Sequence, residues 1–365
     1  MTMFKFAARF ALFMVVLGVV AEVFFRTVVP ATSVPANYMG LHDKIFRFDT
    51  TWVTSGVATQ GRFGLHPSTW HINNAGWNSP FDYTPASAKD KPRIAMLGDS
   101  YIQAISVNVN QHVDVDLHAL DAGKADVYAF GGSGWYLEQY VALARYVEQR
   151  YAPDTYVIFI DWHDIADSLR ENGVKTRYAF QIVADGSGFT ELPPPARYVF
   201  GKKSRLLRRS AIVRYVRENL GITWGQKGAV TPDVNLSPGG AAPVEPATPS
   251  PLVRRAARWM VTRLVTEHPG RSFVFVVDAD RTRIYRGDPS PGPRPEYEAL
   301  LAGARRYPNV HFLDLQPVYW SSYQANHRRF EGFDGGHWSA YGDAVVARAL
   351  SARLLHLGLM PSTGP

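Results

Sequence analysis

The residues able to make and break a covalent bond stand far apart in the chain: Ser100 in Gly98-Asp99-Ser100, and Asp334 with His337 in Asp334-Gly335-Gly336-His337. A serine hydroxyl becomes a nucleophile when an imidazole takes its proton, and a carboxylate that holds the imidazole completes the arrangement. Asp334 and His337 are three residues apart across two glycines, a compact turn in which the carboxylate can reach the ring. Each motif also has a plain reading. Gly-Asp-Ser suits a turn followed by a helix-capping serine, and Asp-Gly-Gly-His suits an aspartate turn ahead of a helix with Ser339 near its start. Together they favour chemistry, because each lies after an apolar strand.

Such residues meet only if their loops share one edge of a sheet. From residue 93 apolar runs alternate with helical stretches, with strands expected at 93–98, 125–130, 155–160, 272–278 and 310–314. Helices are expected near 101–122, 135–151, 252–268, 294–306 and 338–357. This alternation predicts an α/β fold, a three-layer α/β/α sandwich around a parallel sheet of about five strands. An insertion at about 175–251 interrupts it. There 177–183 and 189–192 read as a hairpin around Asp185-Gly186-Ser187-Gly188, followed by a basic amphipathic helix and by a stretch (225–251) too rich in Pro, Gly, Ala, Ser and Thr to fold, expected to be a mobile loop. The basic helix carries Lys202, Lys203, Arg205, Arg208 and Arg209 among leucines; it reads as a solvated face or as a patch for phospholipid or polyanion.

The 46% hydrophobic content excludes global disorder. The absence of cysteine excludes disulfides and thiolate metal sites, and the histidines show no convincing ligand spacing, so no metal or organic cofactor is expected. A net charge of +7 without a nucleic-acid motif gives no reason to expect a nucleic-acid partner. Lys5 and Arg9 precede an apolar run from Phe10 to Phe25, interrupted only by Glu22 and followed by Arg26. We read 1–27 as an uncleaved signal anchor with its N-terminus in the cytoplasm. In a chain of bacterial appearance this implies a single-pass inner-membrane protein with its main part in the periplasm. The competing reading is a signal peptide cleaved near Ala31 or Ala36, releasing a secreted protein. Residues 28–92 read as a turn-rich lead-in without helical period, ahead of the domain at 93–360.

Gly98-Asp99-Ser100 and Asp334-Gly335-Gly336-His337 resemble the first and last motifs of the SGNH, or GDSL-type, hydrolases, and the resemblance covers roughly residues 93–357. It implies a flavodoxin-like sandwich and a Ser/His/Asp site that cleaves or transfers acyl groups. By resemblance, Phe130-Gly131-Gly132-Ser133-Gly134 is the second motif, with the Gly134 N–H joining that of Ser100 at the oxyanion. The third motif carries an asparagine donor in the family. Here the segment reads Asp161-Trp162-His163-Asp164, so His163 stands in the asparagine's place, as an altered oxyanion donor or as a structural histidine paired with Asp161 or Asp164.

Membrane-anchored chains that resemble this one often serve systems that add or remove acetyl groups on exported polysaccharides. The resemblance therefore implies a serine esterase acting on O-acylated carbohydrate. An O-acetyltransferase of the same chemistry, fed by a membrane acyl-donor protein, is the alternative, and an inactive polysaccharide-binding or assembly subunit is a third reading. Asp99, Trp135, Trp162 and Trp338 flank the motifs and are candidates to touch the substrate, the tryptophans by stacking on sugar rings or else by packing in the core.

Overall fold

Five apolar segments with few or no charges are long enough for one strand each, and a strand buried on both faces needs no polar alternation. In the computed structural model, which describes residues 2–161, 163–172, 178–194, 198–199, 201–222, 249–333 and 335–361, these segments form one parallel sheet. Its strands are β1 (Arg93–Gly98), β2 (Asp126–Gly131), β3 (Thr155–Ile160), β4 (Ser272–Val277) and β5 (Val310–Asp314). Their spatial order is β2-β1-β3-β4-β5, all parallel. This is the flavodoxin-like order, and it places a crevice at the carboxyl ends of β1 and β3, where the winding reverses.

Alternate residues of each strand supply two separate cores, which makes the molecule three-layered. Leu97, Phe130, Ile158 and Phe275 face the helices Leu137–Tyr151 and Pro251–Glu267, whereas Met96, Ala129, Val157 and Val276 face Val113–Leu120 and Ala340–His356. At the foot of β1 the wholly buried Arg93 spans the layers. Its guanidinium meets Asp126 at 2.8 Å and the Tyr151 carbonyl at 2.6 Å, so the buried charge is paired and hydrogen-bonded.

Several expectations change. The helix expected at 101–122 is broken into Ser100–Gln103, a short turn at Val109–Gln111 and Val113–Leu120, because Ala104 adopts the left-handed conformation (φ 48°) and ends the first piece. Three helices were not anticipated, Asp164–Ser168, Arg281–Tyr285 and Leu315–Asn326; the last separates β5 from the loop of His337. The lead-in, expected to be ordered and turn-rich, contains short strands that were not anticipated. Asn37–Met39 pairs with Phe46–Phe48 and with Tyr198–Val199 of the insertion, and Ser55–Gln60 forms a hairpin with Leu65–His71. The insertion's hairpin is present as Gln181–Asp185 against Gly188–Leu192. Its basic stretch is not one helix but Lys202–Leu207, Ala211–Arg214 and a wider turn at Tyr215–Asn219, whose Tyr215 carbonyl accepts the Leu220 N–H. Most of 225–251, like the first residue of the expected 177–183 strand, lies outside the described residues.

Two carboxyls are buried where Val113–Leu120 packs on Ala340–His356. Burial pushes Asp114 from its ordinary 3.8 up to about 7, and burial together with the neighbouring Asp114 and Asp116 holds Asp343 well above the carboxylate range. The folded chain therefore keeps protons that the unfolded chain has lost. The stability this supplies is full below pH ~4 and disappears as the pH rises through about 7. The thermal midpoint is expected to fall between pH 5 and pH 8, and Asp114→Asn, which mimics the protonated acid, is expected to reduce that fall by the equivalent of a few kcal/mol in thermal melts across the range.

Candidate active site

β1 ends in Gly98, and the chain turns at Asp99, whose carboxylate caps the short helix Ser100–Gln103 by accepting the Tyr101 N–H at 2.9 Å. Burial pushes Asp99 up to about 6, while the Tyr101 N–H and His337 draw it back. Its carboxylate thereby fixes the turn that carries Ser100. The helix lies directly on β2. A side chain at Gly131 would run into the backbone of Ile102 and Gln103, so glycine is required for the serine helix to sit where it does.

His337 arrives from the loop between the helices Leu315–Asn326 and Ala340–His356, and its Nε2 lies 2.8 Å from Ser100 Oγ. That contact lets the neutral ring accept the hydroxyl proton. The loop is closed on itself: the Gly332 N–H donates to the His337 carbonyl at 2.8 Å and the Ser339 N–H to the Phe330 carbonyl at 2.7 Å. Asp334, the expected orienting carboxylate, lies outside the described residues, as does Trp162.

A second tie holds the two loops together, and the sequence reading missed it. The Tyr101 hydroxyl donates to the Gly336 carbonyl at 3.0 Å and accepts from Arg281 Nη2 at 2.7 Å. Arg281 is itself pinned between Asp278 at 3.2 Å and Glu331 at 3.5 Å, and Glu331 accepts from the Tyr285 hydroxyl at 2.6 Å. Ser100's neighbour Tyr101, the end of β4 and the histidine loop are thereby joined in one half-buried polar chain. The run Asp278-Ala279-Asp280-Arg281 after an apolar strand was the available signal. From the other side the ring of His66, in the lead-in hairpin, stacks on Phe333 at 3.6 Å.

Gly134 ends the turn after β2, at φ 68°, where glycine is favoured. The side chains of Ser133 and Gln103 hydrogen-bond, tying that turn to the serine helix. His163 follows β3 and opens the helix Asp164–Ser168, its carbonyl accepting the Asp167 N–H at 2.8 Å. Asp164 accepts the Asp161 N–H at 3.1 Å, and Glu296 receives the N–H groups of Ile165 and Ala166 at 2.7 and 3.0 Å. β1 lies between β2 and β3, so the three turns flank one another at the same edge.

The two described tryptophans of this region resolve their alternatives in favour of packing. Trp135 is 4% exposed and sits edge-on to Trp77 at 6.1 Å, while Trp338 is 3% exposed between Tyr101 at 4.8 Å and Phe159 at 5.7 Å. Neither offers a free face to a sugar. Among the described residues no group of three His, Cys, Asp or Glu side chains is placed to hold a metal.

No protein-family model matches the chain, and no curated protein does. Solved structures similar to it include esterases and an acyltransferase. They include a salicylyl-acyltransferase, SsfX3, from a tetracycline biosynthetic pathway (12% identity, TM-score 0.40, covering 75% of this chain and 57% of that one). A two-domain esterase active on acetylated mannans shares 14% identity (TM-score 0.38, 77% and 54% covered), and a carbohydrate acetylesterase family member from Sinorhizobium meliloti shares 14% (TM-score 0.33, 73% and 99% covered). The chain thus spans just over half the length of the first two. At this distance the similarities carry no argument about the site, and the chain's own geometry has to.

Tyr101→Phe removes the hydroxyl that bridges Arg281 and Gly336 while keeping the ring that packs on Trp338. Because small misplacements of a base are costly, the rate at which Ser100 reacts with a phosphonate probe is expected to fall about 10- to 100-fold with the fold retained, measured by labelling kinetics beside circular dichroism.

Proposed function

We propose that the chain is a serine-dependent acyl-ester hydrolase of the SGNH type, acting outside the cytoplasm on O-acylated, in particular O-acetylated, carbohydrate. The observation that carries this reading is the 2.8 Å contact between His337 Nε2 and Ser100 Oγ at the winding reversal of the sheet. In the proposed reaction Ser100 Oγ attacks the acyl carbonyl carbon as His337 takes its proton. His337 then protonates the departing sugar oxygen, leaving the acyl group on Ser100 and the alcohol free. A water, deprotonated by His337, attacks that ester, and collapse returns the proton to Ser100 and releases the carboxylic acid.

The proposed oxyanion donors are the N–H groups of Ser100 and Gly134 with a ring N–H of His163, and Asp334 is proposed to orient His337. Their places after β1, β2 and β3 and in the histidine loop support these roles. The helix Thr2–Thr27 is apolar and long enough to cross a membrane. We take it as an uncleaved anchor. Lys5 and Arg9 at its start favour a cytoplasmic N-terminus and a periplasmic main part.

A fluorophosphonate probe is expected to label the protein at Ser100. In Ser100→Ala labelling disappears, and aryl acetate hydrolysis falls by at least about a thousandfold in both Ser100→Ala and His337→Ala. His163→Ala is expected to cost on the order of a hundredfold. Labelling that survives Ser100→Ala, or the absence of both labelling and acetate release in the wild type, would sink the proposal. Acetylated oligosaccharide formed from an aryl acetate would replace water by a sugar hydroxyl as the acceptor.

A further inference from the structure

The end of the apolar helix is not a loose tether. Glu22 accepts hydrogen bonds from Ser210 Oγ and the Ala211 N–H, both at 2.8 Å, and from the Ile212 N–H at 3.2 Å. Arg26 Nη2 donates to the Arg209 carbonyl at 2.9 Å, and the Phe25 ring stacks on Tyr215 at 4.0 Å. The Tyr215 hydroxyl in turn reaches the Arg62 carbonyl at the tip of the lead-in hairpin at 3.0 Å. Asn219 closes the unit, accepting the Thr32 N–H and donating to the Gly61 carbonyl, both at 2.9 Å. Residues 201–222, the hairpin tip and the helix end therefore form one rigid collar.

Two further observations say what covers it. Apolar side chains around these contacts are bare: Phe63 is 73% exposed, Leu206 67% and Leu207 53%, with Ile222 at 45%. Lys202, Lys203 and Arg209 stand exposed beside them. The length of the helix then sets their level. A hydrocarbon core of ~30 Å takes about 20 helical residues, which counted inward from Lys5 end near Phe25. Glu22 lies one turn short of that end, so the residues that bond to it have to reach the same depth.

We propose that this collar is a membrane-surface element. Leu206, Leu207 and Phe63 enter the headgroup–acyl boundary, and Lys202, Lys203 and Arg209 meet anionic phospholipid headgroups, as in interfacial amphipathic segments. The inference rests on the helix being a retained anchor. It adds that the main part of the protein is seated on the bilayer in one orientation.

The chain has no cysteine, so single thiols can be introduced into the full-length protein without background. Val15→Cys (mid-helix), Leu206→Cys (collar) and Asp90→Cys (exposed, at the amino edge of the sheet) are spin-labelled in bilayers of phosphatidylcholine with and without phosphatidylglycerol. Accessibility to dissolved oxygen and to a water-soluble nickel chelate is then compared. The collar predicts an oxygen-to-nickel ratio several-fold higher at 206 than at 90. It also predicts a further rise at 206 with phosphatidylglycerol, which Lys202→Gln with Lys203→Gln and Arg209→Gln removes. A lipid-like ratio at 15 with a water-like ratio at 206 would overturn the collar and leave the anchor standing. Shielding of 206 from both reagents would assign the surface to a protein partner and overturn the lipid assignment. A water-like ratio at 15 would remove the anchor and the collar with it.

Discussion

A parallel sheet delivers the carboxyl ends of all its strands to one edge, and the organisation of this molecule follows from that constraint. Ser100 follows β1, the Gly131–Gly134 turn follows β2, the 161–164 turn follows β3, and Asp278 and Arg281 follow β4. The pairing register keeps these ends level: Gly98 opposite Gly131, and Val277 opposite Ile160. A slip of one residue would exchange the two faces of a strand and set its cores against the wrong helices. The two cores and the candidate site are consequences of one register.

The sheet was legible in the sequence because its inner strands are buried on both faces and so appear as nearly continuous apolar runs, while the edge strand β5 is only half-buried. Strand ends were anticipated to within one residue. Helices near the edge were harder. Nothing in the sequence from Tyr101 to Ala122 announces that Ala104 turns left-handed, and Leu315–Asn326 opens with Pro317 in its first turn, where proline is tolerated but reads as a break. The lead-in strands, three residues long in two cases, are too short to show a period, and their order comes from pairing with distant segments.

The candidate site was legible where it depended on motif chemistry and not where it depended on long-range packing. Ser100 and His337 are brought into contact. The Arg281–Tyr101–Gly336 chain joins three loops by bonds that no local pattern encodes. A largely desolvated arginine is costly unless it is paired, and here Asp278, Glu331 and the Tyr101 hydroxyl meet its Nε and Nη2. For Trp135 and Trp338, proximity in sequence to the motifs left a sugar platform and core packing open, and their burial shows packing.

Ser100 and His337 are 237 residues apart, and their contact lies in the last loop before the terminal helix. An amino-terminal fragment that runs past Gln103 but stops short of Gly336 contains Ser100 and its helix but neither His337 nor the carbonyl that Tyr101 holds. While the chain is being made, Ser100 therefore stands without the imidazole that meets its hydroxyl in the finished fold. Synthesis through the loop that carries His337 is the step that brings the two side chains together.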